Sequence, residues 1–392
     1  MKVKAILLTA LIIVILTTVK VRASEFSFVA TSKNPITDSL SNTHYNHSFT
    51  NLYAFINESI FKHLNSKDSK AARVGELFVY TYSTAFFTSF SHEWAHYRVS
   101  DYYNLFPNIK INAYGGAVSH VFHPSIDTNT RIITAGLNQQ AHNAEYIFDH
   151  MVGSGNISYF NGINFMANNL GTVGYSLITL LGYDSSGNDI TNYSLFTSLK
   201  GYNITTEQMF LFSTLSFFSS VAVWQSLGLM GSFVKDNQRS TKLFTFFDLI
   251  APPLIQYYLT EHGDFLSLTL PFLKPTPIFL HMTASLRDPG FRLGLRSQIR
   301  INPYFSLRPF YYFTYLTKRP DLAIVPPDFS VVRAQSLNKL SFGHSFGGEI
   351  QVDIVPKSYS LLFNLKYSRD DLMDNMKIDK GLNLSLGMMI RY

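Results

Sequence analysis

Apolar residues recur with two different periods along this chain, and the change of period divides it. From Val74 to Tyr97 the spacing is helical. Arg131 to Met151 predicts a second helix, with Ile132, Ile133, Leu137, Ala141, Ala144, Ile147 and Phe148 as its apolar residues. Leu52, Phe55, Ile56, Ile60, Phe61 and Leu64 form one stripe, the pattern of a helix packed on an α-helical unit. Phe165 to Tyr183 and Glu207 to Val234 are apolar stretches of helix length. The second would pass as a membrane span or as a buried core helix, its serines and glycines allowing close packing.

Toward the C-terminus the period falls to two. Leu382, Leu384, Leu386, Met388, Ile390 and Tyr392 alternate with mostly polar or small residues, and so do Tyr359, Leu361, Phe363, Leu365 and Tyr367. Phe291, Leu293 and Leu295 oppose Arg292 and Arg296, with apolar residues on one face and charges on the other. Short turns at Asn302-Pro303 and Pro356-Lys357-Ser358 alternate with long connections at 317–339 and 369–379. The pattern predicts an antiparallel transmembrane β-barrel of about eight strands, with lipid outside and a polar lumen. A soluble antiparallel sheet with one wet face is the rival. The aromatic ending resembles the terminal strand of bacterial outer-membrane barrels, where it serves as the assembly signal. The fold class expected is α+β: an N-terminal α-helical, zincin-like domain over 24–240, then the barrel over 241–392.

The first residues change the picture of charge and location. Met-Lys-Val-Lys, an apolar run from Ala5 to Val19 and the Val21-Arg22-Ala23 site read as a signal peptide over 1–23. Its loss removes Lys2, Lys4, Lys20 and Arg22, and the formal charge falls from +6 to +2. No basic block remains to argue for nucleic acid. There is no cysteine, so neither disulfides nor thiolate chemistry is available. An exported protein of the cell-envelope membrane is expected, at the outer membrane rather than the inner, in contact with membrane lipid.

Chemistry enters at His92-Glu93-Trp94-Ala95-His96. Four residues apart on a helix, the two imidazoles share a face and can grip one Zn²⁺. Glu93 between them can act as general base toward a metal-activated water. Catalytic zinc usually takes a third protein ligand. The candidates are His120, His123, His142, Glu145 and His150. Glu145 and Asp149 share a face of the second predicted helix. Glu145 suits the third ligand position, and Asp149 could orient a ligating imidazole. His142, one turn earlier, could replace Glu145 or contact substrate. Between the helices, Lys110 to Val118 is an extended run with Gly115-Gly116, along which a peptide could add as a strand.

His92-Glu93-x-x-His96 followed by Ala144-Glu145-Tyr146-Ile147-Phe148-Asp149 resembles the membrane-associated zinc metallopeptidases that include the CAAX prenyl proteases and their bacterial heat-shock relatives. The resemblance covers roughly residues 74–151. It implies His92, His96 and Glu145 as zinc ligands, Glu93 as general base, Asp149 as supporting carboxylate, and a peptide or protein substrate. The function expected is a zinc-dependent metallopeptidase of the envelope. The alternative is a non-catalytic outer-membrane barrel, a pore or surface binding protein, with a structural or vestigial histidine pair.

Overall fold

The structure is a computed structural model that describes residues 25–31, 39–64, 69–112, 115–123, 125–183, 188–325, 330–333, 338–355, 359–369 and 381–391. The expected signal peptide lies outside the described residues, as does the turn at 356–358.

Strand β1 (Glu25–Thr31) comes first, then helices α1 (Ser39–Leu64) and α2 (Lys70–Tyr102). A hairpin of β2 (Asn108–Asn112) and β3 (Gly115–Ser119) leads to α3 (Ile126–Ser154). The starts of α2 and α3 follow from serine caps. Ser69 accepts a hydrogen bond from the Ala72 amide and Ser125 from the Thr128 amide, each at 3.2 Å. Helix α3 stops at Gly155, whose φ of +66° costs a glycine little.

Both long apolar stretches break. The first becomes α4 (Tyr159–Asn169) and α5 (Gly171–Leu180), preceded by the short strand β4 (Asn156–Ser158). Helix α6 (Asp189–Leu199) follows. The second stretch becomes α7 (Thr206–Ser219) and α8 (Val221–Asp236), bent by 65° around Ser220. No single helix among the described residues is long and apolar enough to cross a membrane. Helices α3, α4 and α8 meet in a core that fully buries Phe148, Met151, Phe165 and Phe233. Each such side chain stabilises the fold by about 1.5–3 kcal/mol.

After β5 (Ser240–Lys242), which pairs with β4, the chain enters one large antiparallel sheet. Its members are β6 (Leu254–Thr260), β7 (Gly263–Phe272), β8 (Ile278–Ser285), β9 (Gly290–Ser297), β10 (Ile299–Asn302) and β11 (Phe305–Lys318). A separate hairpin of β12 (Leu322–Val325) and β13 (Ser330–Arg333) interrupts it, and β14 (Lys339–Val355), β15 (Tyr359–Arg369) and β16 (Gly381–Arg391) complete it. Spatial order runs β1-β16-β15-β14-β11-β9-β8-β7-β6, with β10 on β11.

The closed barrel expected from the alternation does not form. The sheet has two ends, β1 and β6, and no pairing joins them among the described residues. The physical reason lies in what covers each end. Strand β6 packs under α3 and α7, and β1 packs along α1, so helices take the place of the missing strand contacts. The expected alternation of faces holds, however. One register row across the sheet reads Leu270, Leu280, Leu295, Tyr311, Phe346, Tyr367 and Leu382. The opposite face carries His281, Arg292, Glu349, Gln351 and Asp353, all buried against the helical layer.

Candidate metal centre

Helix α2 brings His92, Glu93 and His96 to its buried face, at 1%, 4% and 6% exposure. The Nε2 atoms of His92 and His96 lie 3.0 Å apart. Asp189 completes the group from another element: its Oδ2 lies 3.0 Å from His92 Nε2 and 3.1 Å from His96 Nε2. These three residues could hold a metal ion. A triangle of this size can seat a cation with bonds of about 2 Å to all three atoms.

The surroundings fit that use. His96 Nδ1 donates to the Ile132 carbonyl at 2.6 Å, which turns the Nε2 lone pair toward the centre. His92 stacks on Tyr175 of α5, with ring centroids 5.0 Å apart and planes within 6°. Gly136 of α3 faces both rings. A Cβ there would fall 2.5 Å from each Nε2, so the missing side chain leaves open the space where the donors converge. Asp189 sits in the first turn of α6, where a negative charge is favoured by the helix dipole. Asn188 caps that helix, its Oδ1 accepting from the Ile190 amide at 2.8 Å while its Nδ2 donates to Thr179 at 3.0 Å.

Charge at the centre is uneven. Burial works against an ionised Asp189, but the two imidazoles more than offset it and hold its carboxyl well below the usual range. Burial likewise opposes a charged His96. The carboxylates of Asp189 and Glu93 and the Ile132 carbonyl outweigh it and push His96 up to about 9. The pocket thus favours positive charge beside Asp189, as a protonated ring or as a metal ion. His120, half-buried after β3, feels burial first and then His96, and its affinity for a proton falls below the ordinary value. Strand β3 crosses over Glu93. A Cβ on Gly116 would lie 2.3 Å from Glu93 Cγ, so only glycine lets the strand approach so closely.

The structure does not place the expected third ligand here. Glu145 points at the sheet, with Arg296 Nη2 at 2.8 Å and His281 Nδ1 at 3.4 Å. Asp149 pairs with Arg296 Nη1 at 2.9 Å instead of orienting an imidazole of the pair. The reason is helical distance. Gly136 marks the part of α3 that faces α2, and Glu145 lies nine residues further on, about 13 Å along the axis. His142 stays beside Glu145, its Nδ1 3.9 Å from Oε2. His123 accepts from the Ser125 amide at 3.1 Å, and His150 stacks on His47. The Ala144–Asp149 element on which the family resemblance rests is therefore engaged with β8 and β9.

The chain matches no protein-family model, no curated protein and no solved structure.

Proposed function

We propose that this protein is a zinc-dependent hydrolase that cleaves peptide bonds, with His92, His96 and Asp189 as metal ligands and Glu93 as general base. The observation that carries the reading is the convergence of two buried imidazole nitrogens and a partly buried carboxylate oxygen within 3.0–3.1 Å, one helical position away from the buried Glu93 carboxylate. A bound Zn²⁺ would supply Lewis acidity and bring the pKa of water down to about 7. Glu93 accepts the proton from the attacking water and returns it to the leaving nitrogen, a transfer typically worth about 10²–10⁴ in rate. Gly116 and the buried flank of α2 keep that carboxylate close to the centre and away from bulk water.

Peptide is favoured as substrate by the hairpin. Strand β3 pairs only with β2 among the described residues, and its run past Glu93 offers backbone groups to an extended segment. The reading is tested by metal analysis and by assay against a quenched-fluorescent peptide library. One zinc per chain is expected. Glu93→Gln should keep that zinc and lose at least about 100-fold in turnover. Undiminished cleavage by Glu93→Gln rejects the base, and a wild-type chain that takes up no zinc rejects the centre.

A further inference from the structure

In a soluble sheet backed by helices, the covered face is apolar and the open face polar. Here the open face is apolar, and the covered face carries the charged residues among buried apolar ones such as Phe265, Phe279 and Leu316. Along β7, β8, β9, β11, β14, β15 and β16 the positions on the face away from the helical core carry no Asp, Glu, Lys or Arg except at two strand ends: Asp264 at the start of β7, buried and paired with Arg287, and Arg369 at the end of β15. Leu293, Tyr311, Phe346, Leu365 and Leu384 on that face are 45–51% exposed. The charged residues of the same strands turn inward: Arg296 meets Glu145 and Asp149, and Arg308 meets Glu349.

From these observations we infer that the outer face of the sheet lies in the hydrocarbon of a lipid bilayer. The charge pattern is complementary to that medium and to no aqueous one. Seven strands at about 4.8 Å spacing make a face roughly 30 Å wide, beyond the few hundred Å² of apolar patch that soluble monomers show. Strands β15 and β16 have 11 residues each. At about 3.3 Å per residue and a tilt of about 45° they cover about 25 Å, the height of a membrane apolar band. Unpaired backbone at a sheet edge is costly in lipid, and both edge strands are covered by helices. Helix α7, which covers β6, exposes Leu211 and Leu215, and α8 exposes Trp224, so apolar side chains continue past that edge, with the exposed Glu207 confined to the first turn of α7.

The chain has no native cysteine, so single reporters can be placed cleanly. Leu293→Cys, Phe346→Cys and Leu384→Cys, each carrying a nitroxide, are compared with the inward-facing Ser345→Cys in the full chain reconstituted into phosphatidylcholine–phosphatidylglycerol vesicles. Outward labels should relax with oxygen dissolved in the acyl chains and ignore an aqueous nickel chelate. The Ser345 label should respond weakly to both. Outward labels reached by the nickel chelate would overturn the inference. So would labels shielded from both reagents in a lipid-free dimer, which would make a second copy the occupant. The unmodified chain gives an independent check: brominated acyl chains should quench its tryptophan emission, and unchanged emission would also overturn the inference.

Discussion

Asp189 and Glu145 are both helix-borne carboxylates taken mostly out of water, and the structure uses them in opposite ways. Asp189 faces two imidazoles and, among the described residues, makes no ion pair with Lys or Arg, so its charge is matched by groups that can give up their protons to a metal. Glu145 faces the guanidinium of Arg296, which never deprotonates, and His281. Its charge is already neutralised, and a metal would gain little there. A buried carboxylate thus becomes a metal ligand or a structural anchor according to whether its partner cation is exchangeable.

The largest effect that would sharpen this contrast is on metal binding. Asp189→Ala should weaken zinc by more than about 100-fold in a chelator competition, whereas Glu145→Gln should leave affinity and stoichiometry unchanged. Zinc lost from Glu145→Gln would break the comparison. The next effect is on stability. Arg296→Met strands the buried Glu145 carboxylate and the partly buried Asp149 beside it, and should cost about 3–5 kcal/mol in denaturant unfolding, with the zinc content intact.

Acid gives a third, smaller test. Burial disfavours the charge on Glu145, but Arg296, with His142 and His281, reverses this and holds its folded pKa well below the ordinary value. The stability that this carboxylate supplies is therefore complete above its unfolded pKa of about 4.3 and is lost as pH falls through the folded value. Unfolding midpoints followed from pH 6 to pH 3 should drop for the wild type and flatten for Glu145→Gln. The smallest effect is at the cap of α6. Asn188→Ala should cost about 1 kcal/mol of stability and slacken Asp189, which would appear as a modest loss of zinc affinity with Glu145 undisturbed.

Helical spacing made the histidine pair, Glu93 and the helix carrying Glu145 legible in advance. It could not say which stretch of that helix faces the pair, because periodicity fixes the face of a helix but not the point where another helix crosses it. Residues 132–136 lie at the crossing, and Glu145 lies beyond it. Asp189 had a signal of its own: Asn188 and Asp189 stand directly before the apolar spacing of Ile190, Tyr193 and Phe196, the pattern of a capped helix start with an acidic first turn. Nothing in that signal links it to histidines 93 and 97 positions earlier. The strands were equally legible from their period of two, as was the face each residue takes. Closure was not, because alternation says nothing of what an edge strand meets. The helices over β6 and along β1 decide it.

The pairing of Glu25 with Arg391 has a consequence for biogenesis. Strand β1 must wait for β16, which follows every other strand of the sheet in the described chain, before this ladder of backbone hydrogen bonds can form. A chain of such high contact order folds slowly, and its helical core can assemble well before that seam is joined. Until then β1 and the outer edge of β16 are unpaired, and such edges are open to wrong partners.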